Sequence, residues 1–314
     1  MDKINKYTST GRKLLHHSEM LHLMKNHHRA RPLSFQIAPT NRCNLSCVFC
    51  SNVKRNKHED ISFPLLARTL EENIPSTHKP TVEWTGGGDP TMYHSINSAI
   101  EYVANLGWQQ GLITNGVLLR ERISQYLLDK LAWVRISMNC LDYVEDIDIP
   151  KIKGTLGFSY VINSKTNNLT LKRLKQYAEA YEPSYIRIVP NCQATDEEQI
   201  KNNEEYSKLV ASWGSPFFYQ PKVFEKPIQC WWGWLKPFLL HDGWVYPCSS
   251  IILNDEADKH FHEKYRWTKW EDLHKKYYEQ MLPFSSEKCH HCVFKTQNDL
   301  IEGLINPNGM ENFI

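Results

Sequence analysis

The sequence has 314 residues, enough for one large α/β domain with an extension and a sizeable core. Lys and Arg number 37 against 35 Asp and Glu, a net charge of +2 that does not mark a polyanion binder. A charged fraction of 23% and a mean hydropathy of −0.52 argue against a disordered chain, and no apolar run reaches the ~18 residues a bilayer span needs. The opening residues, Met1-Asp2-Lys3-Ile4-Asn5-Lys6, hold no signal-like apolar stretch, so the expected location is cytoplasmic and no membrane partner is expected. In a reducing compartment, clustered cysteines point to metal rather than to disulfides, and this chain has nine.

Residues 1–32 read as a helical preface. Leu14, Leu21 and Met24 share one helical face, and the polar side carries five histidines with Arg12, Lys13, Lys25, Arg29 and Arg31. It is either a solvated helix lying across a larger body or an anion-facing, substrate-covering arm. From residue 33 strand-like runs alternate with helical ones. Strands are predicted at 33–38, 81–85, 111–114, 133–138, 155–162 and 185–189. Helices are predicted at 64–73, 95–106, 120–131 and 169–181, and 139–154 is too irregular for a full helix. Such crossovers imply a parallel sheet, either doubly wound or a partial barrel. After residue 213 the texture changes to frequent Trp and Pro with short strands. Segments 236–241 and 244–247 flank Asp242-Gly243, a hairpin signal, and 270–281 reads as a helix.

Directly after the first strand, Cys43, Cys47 and Cys50 follow a C-x3-C-x2-C spacing on a loop. Three thiolates suit three irons of a cubane cluster, whereas zinc usually wants a fourth protein ligand, and no further cysteine lies nearby. One iron is left open to a small molecule. This loop, with the aromatic Phe49 before its last cysteine, resembles that of the radical S-adenosylmethionine (SAM) superfamily. The resemblance implies a partial (β/α)6 TIM-type barrel, an α/β fold, over roughly 33–192. It also implies a 4Fe–4S cluster whose open iron is chelated by SAM, and reductive cleavage of SAM to a 5′-deoxyadenosyl radical that takes hydrogen from an unactivated carbon. Thr85-Gly86-Gly87-Gly88-Asp89-Pro90 resembles the family's glycine-rich motif, which places Gly87, Gly88 and Asp89 against the SAM amino group, with Asp standing where Glu is usual. By the same resemblance Asn115, in the typical strand end Ile113-Thr114-Asn115-Gly116, is a SAM-binding residue, Ser137 and Asn163 lie near the SAM carboxylate or ribose, and Val189 lies near adenine.

Four more cysteines follow the barrel. Cys230 precedes Gly243 by twelve residues, Gly243 and Cys248 give G-x4-C, and Cys289 and Cys292 give C-x2-C. Four thiolates close a site for either zinc or a cubane. After a radical SAM barrel the pattern resembles the twitch domain, a shortened SPASM-like extension with one auxiliary 4Fe–4S cluster. Its spacing is similar to that of 2-deoxy-scyllo-inosamine dehydrogenases. His290 and His291 are expected to be solvated. The expected organisation is a preface at 1–32, a barrel at 33–213 and a smaller twitch-like β-hairpin/helix domain at 214–314.

Cys140 and Cys192 belong to neither cluster and fall just past strand ends. Each is either a buried small residue or a thiol that returns hydrogen to a substrate radical, the role known for some radical SAM epimerases and lyases. Arg187 is a charge in an otherwise apolar strand, expected to pair with a structural carboxylate or to anchor an anion, with the structural pair favoured. Glu83 needs a partner if buried. The expected function is oxidation of a small molecule of sugar, aminocyclitol or nucleoside type, with electrons from a flavodoxin- or ferredoxin-type reductant. The alternatives are modification or epimerisation of a peptide, rearrangement of a nucleotide or nucleic-acid group, and a non-catalytic zinc or iron–sulfur module.

Overall fold

The structure is a computed structural model of the chain and describes residues 6–50, 52, 59–74, 78–221, 225–250, 261–287, 289 and 292–310. His290, His291 and the first five residues lie outside the described residues.

Strands β1 (Ser34–Ala38), β2 (Thr81–Trp84), β3 (Gln110–Thr114), β4 (Trp133–Ser137), β5 (Thr155–Ile162) and β6 (Tyr185–Pro190) fall where the apolar runs predicted them. Each pairs in parallel with the next. Two short strands extend this series at its edges: β7 (Phe217–Tyr219) pairs with β6, and β8 (Phe238–Leu240) pairs with β1, both in parallel. β9 (Trp244–Tyr246) and β10 (Thr268–Lys269) continue antiparallel beyond β8. The strand order is β10-β9-β8-β1-β2-β3-β4-β5-β6-β7, an open curved sheet with crossover helices outside it. The sheet runs through residue 213, because β7 and β8 both add to the barrel strands.

Strands β1, β2 and β4 alternate in burial, as does β6 around Arg187. Phe35, Ile37, Val82, Trp84, Val134, Ile136, Ile186 and Ile188 are fully buried beneath the helices. Their neighbours Gln36, Glu83, Arg135 and Arg187 line an interior cavity. An ordinary two-sided parallel sheet is apolar on both faces. Here the period-two polar residues mark a barrel with a hydrated interior.

The helices Phe63–Glu72, Ile96–Asn105 and Asn168–Tyr181 match expectation closely. The helix predicted over 120–131 is instead two short helices, Leu119–Arg122 and Gln125–Leu128. Between them Ile123 adopts an extended conformation and is only 1% exposed, so burial of one side chain overrides the helical run. The segment over 270–281 is helical only to Lys276. Beyond it the chain turns to the preface: Met281 donates its N–H to the His28 carbonyl (2.8 Å).

The preface forms two pieces, Gly11–His16 and Ser18–His27, broken at His17. Leu14, Met20 and Met24 are buried, with Leu21 only partly so. Gly11 lies against Leu300, where a Cβ would come within 2.4 Å, so the preface packs on helix Lys295–Ile305. Tyr7 stacks on Tyr185 at 4.3 Å, at the start of β6. The preface therefore closes the N-terminal end of the barrel, and Lys6, Tyr7 and Lys13 line the interior. The preface thus lies across the larger body with its polar side exposed, and Lys6 and Lys13 reach the border of the cavity.

Helix Asp196–Trp213 was not legible in the hydrophobic pattern, because only Gln199 and Val210 are buried along it. Its start is signalled locally: Thr195 caps the Glu198 N–H (3.2 Å), and the acidic first turn suits a helix N-terminus.

Candidate active site

The three-cysteine loop leaves the C-terminal end of β1 and is pinned at its base. Asn41 donates its N–H to the Glu59 carbonyl (3.1 Å), and Glu59 donates its own to Asn41 Oδ1 (2.8 Å). Asp60 gathers Thr40 Oγ1, Arg42 Nε (3.2 Å) and His94 Nδ1 (2.6 Å). Burial alone would raise the Asp60 carboxyl. The Thr40 and His94 hydrogen bonds and the Arg42 charge outweigh it and hold the group below the usual range.

The glycine-rich turn after β2 packs directly on this loop. A Cβ on Gly88 would stand 2.1 Å from the Arg42 carbonyl oxygen, so only glycine fits. Asp89 donates its N–H to that same oxygen (2.8 Å). Asn115, after β3, donates to Asn44 Oδ1 (2.7 Å) and approaches Cys43 Sγ at 3.9 Å. Tyr143, beyond β4, accepts the Val48 N–H (2.7 Å). The ends of β2, β3 and β4 thus hold the loop that carries Cys43, Cys47 and Cys50, all half-buried and free of disulfides.

Three of the expected SAM contacts, Asn115 with Asn44 and Val117 and then Asp89 and Asn163, have side chains already engaged in this structure. The Asp89 carboxylate is 97% removed from solvent, since the residue is 3% exposed. It accepts from Thr91 N (2.9 Å), Thr91 Oγ1 (2.6 Å), Thr114 Oγ1 (2.9 Å) and Asn115 N (2.7 Å). The Asp89 side chain is therefore a brace beneath the turn, which leaves a SAM contact at this position to the backbone. Asn163 likewise donates to Asp142 and the Val161 carbonyl and accepts from Lys165 N, which fixes the loop after β5. Gly87, Gly88, Phe49, Ser137 and Val189 have no such commitment of a side chain. Val189 lines the cavity, as does Thr85 at the end of β2.

That cavity measures about 920 Å³ and runs inside the barrel from the preface to the second cysteine group, since Lys13, Glu83, Arg135, Arg187, Val189 and Cys292 all border it. Glu83 finds its partner in Lys236 of the C-terminal segment (2.7 Å). Arg187, expected to take a structural carboxylate, instead donates to the neutral Gln220 (3.2 Å). Burial, and then the charge of Arg135, push its guanidinium down to about 9. Cys140 is 1% exposed, packed in the core, and burial pushes its thiol up to about 12. Neither Cys140 nor Cys192 borders the cavity.

The second cysteine group is assembled by the Trp-rich segment. Cys230 accepts the Phe284 N–H (2.8 Å) and is 9% exposed. The turn Trp232–Trp234 lies so close to Pro247 that a Cβ on Gly233 would meet its Cα at 2.7 Å, which brings the Cys230 and Cys248 segments together. Gly243, at φ +81°, makes the tight hairpin that leads to Cys248. Asn298, which sequence reasoning did not single out, accepts the N–H groups of Trp231 (2.6 Å) and Trp232 (2.8 Å) and approaches Cys292 Sγ at 3.9 Å. Burial raises the Cys230 thiol well above its ordinary value, and the fields of Cys248, Cys289 and Cys292 raise it further. Burial thus favours the neutral thiol, and an iron–sulfur cluster or a metal ion would supply the positive charge that four thiolates in one another's field need.

Among the described residues, no three His, Cys, Asp or Glu side chains converge on a point for a single metal ion. A cubane binds each thiolate to a different iron, so its ligand sulfurs stand wider apart than those around one ion. Both cysteine groups fit such a cluster in residue type and in number.

The fold and site define a parallel-barrel protein with a three-cysteine loop at the strand C-termini. The family model described as the Radical SAM superfamily matches residues 37–164, the stretch that holds this loop and the glycine-rich turn. That match marks a radical SAM domain in this chain, over less than half of its length. An uncharacterized protein of Methanocaldococcus jannaschii, MJ0907, is 28% identical over 136 residues, 40% of this chain and 46% of that protein. The PqqA peptide cyclase of Bradyrhizobium diazoefficiens is 31% identical over 113 residues, 34% of this chain and 28% of that protein. The matches thus span less than half of these relatives. Among solved structures, Streptococcus suis SuiB bound to its precursor peptide SuiA superposes with a TM-score of 0.56 at 14% identity, covering 87% of this chain and 71% of SuiB. That likeness concerns the fold. No helix among the described residues is long and apolar enough to cross a membrane.

Proposed function

We propose that the protein is a radical SAM enzyme that removes a hydrogen atom from an unactivated carbon and oxidises a substrate held in the barrel. The observation that carries this reading is one continuous cavity bordered by Thr85 and Val189 on the side of the three-cysteine loop and by Cys292 of the second group. When bound, SAM and a reduced cluster on Cys43, Cys47 and Cys50 supply the 5′-deoxyadenosyl radical. An auxiliary cluster on Cys230, Cys248, Cys289 and Cys292 is the electron acceptor such an oxidation needs.

The chain's own residues do the rest. Asp60, Asp89, Asn115 and Tyr143 hold the loop in one geometry. The buried outer strand faces keep the barrel rigid, and the preface closes its far end to bulk water. A volume of about 920 Å³ suits a small molecule of sugar, aminocyclitol or nucleoside size. A second reading, modification of a peptide residue inserted from the mouth, draws on the partial match to a PqqA peptide cyclase. Epimerisation would call on Cys140 or Cys192 as hydrogen donor, and draws less support because neither borders the cavity.

Electron paramagnetic resonance tests the reading. Reconstituted, dithionite-reduced protein is expected to show two cubane signals, of which SAM alters one. Replacing Cys289 and Cys292 by Ala should remove the other and leave the SAM response intact. Spectra that ignore SAM would contradict the assignment.

A further inference from the structure

The cavity holds more positive charge than its own carboxylates neutralise. Lys6, Lys13, Arg135, Arg187, Lys236 and Lys295 border it, against Glu83 and Glu225. Lys236 is paired with Glu83 at 2.7 Å, and Lys295 with Glu225 at 3.4 Å and with Asp299. Arg135 and Arg187 project from β4 and β6 toward the same interior, and each lies in the other's field. Among the described residues neither has an ion-pair partner, and the Nε of each is buried without a hydrogen bond. Gln220 on Arg187 is a neutral acceptor, and Arg135 otherwise lies over the Trp133 ring at 5.8 Å.

The barrel wall makes room for this pair. A Cβ on Gly157 would stand 2.2 Å from the Tyr185 ring, and one on Gly111 would stand 1.9 Å from Trp133. The two glycines let both rings lie flat against the wall, one layer below the guanidiniums. Two half-buried guanidiniums whose Nε groups are buried and unpaired, with no counter-charge, are costly without an acceptor. They are the natural donors for an oxyanion, because their forked N–H groups match its oxygens.

We propose that Arg135 and Arg187 together bind an oxyanion of the substrate, a carboxylate or a phosphate, deep in the barrel. Arg187 lies two residues below Val189 on β6, a drop of ~7 Å along the strand. A substrate anchored there extends from its charged end at mid-barrel to its reacting carbon near the mouth. The inference rests on the radical SAM reading only for the fate of the substrate, because anion binding by these side chains needs neither cluster.

The probes are inorganic phosphate and succinate, titrated into the wild type, Arg135→Gln, Arg187→Gln and the surface control Arg120→Gln by calorimetry and thermal shift. At least one probe should bind the wild type and the control equally, and each cavity variant should weaken it by roughly tenfold or more. The tighter of the two probes distinguishes a phosphate from a carboxylate. In anion-free buffer the cavity variants should melt at or above the wild-type temperature, because an unpaired buried charge has gone. Three results would overturn the proposal: no binding to the wild type, equal binding to the cavity variants, or a marked loss of stability in those variants. SAM cleavage run alongside separates the two readings. A variant that loses the anion site yet still forms 5′-deoxyadenosine leaves the enzyme class intact.

Discussion

Asp89 shows what one buried carboxylate can contribute to the three-cysteine loop from the turn packed against it. Its side chain takes four hydrogen bonds from Thr91, Thr114 and Asn115, and its N–H reaches Arg42. Aspartate suits this inward task because its short side chain reaches back to the N–H two residues on, as a cap does. Asp89→Asn keeps the size but places a donor where only acceptors serve. It should cost about 1–3 kcal/mol in urea unfolding and lower iron retention on the Cys43–Cys50 loop. Unchanged stability and iron content would show that the brace is dispensable. The sequence identified the motif but not the direction of its side chain, since hydrogen-bond partners such as Thr114 are distant in the chain. Cys140 offers a second test at this scale. A thiol whose pKa burial raises to about 12 stays protonated through neutral pH, so iodoacetamide should not label it at pH 8 until the protein unfolds. Rapid labelling in the folded state would mean that it is accessible, and would favour the hydrogen-donor role.

At the scale of the element, the central strands were legible almost to the residue because outward apolar faces alternate with polar positions. What could not be read was that the inward positions share one cavity, since that depends on register between strands. Arg135 opposes Gly157, and Ser159 opposes Arg187. Gly157→Ala should force Tyr185 away from the wall, cost about 1–3 kcal/mol by overpacking and narrow the cavity. A variant with wild-type melting and probe binding would contradict that packing. The short helices around Ile123 were missed because a single buried extended residue outweighs local helical propensity. Asn298 was missed because its role is to join Cys230's neighbours to Cys292 across more than sixty intervening residues. Asn298→Ala should loosen the second cysteine group first. Iron should fall toward half, while SAM cleavage at the barrel cluster persists. Full iron retention would mean that the four cysteines hold their cluster without this tie.

For the whole molecule, the positions of the barrel strands were readable because each apolar run is local in sequence. The closure of the barrel floor by the preface was not, because it depends on contacts such as Tyr7 with Tyr185 and Gly11 with Leu300. The C-terminal segment is likewise part of the barrel's edge, since β8 pairs with β1 and Lys236 enters the cavity to meet Glu83. That union puts Cys292 on the same cavity as Val189, which is what the proposed oxidation draws on. The Cys289→Ala, Cys292→Ala double variant should therefore still cleave SAM but yield no oxidised product. Once a substrate is found, a product two hydrogens lighter with no deuterium gained from deuterated water would mark oxidation, whereas deuterium at the reacting carbon would mark a thiol donor.

The central claim is that Cys43, Cys47 and Cys50 carry a cluster that cleaves SAM. Its most direct measurement is 5′-deoxyadenosine formed by anaerobically reconstituted, dithionite-reduced protein supplied with SAM. The wild type should form it, and the variant with all three cysteines replaced by Ala should form none. Absence of 5′-deoxyadenosine from iron-loaded wild type, or equal formation by the triple variant, would contradict the account.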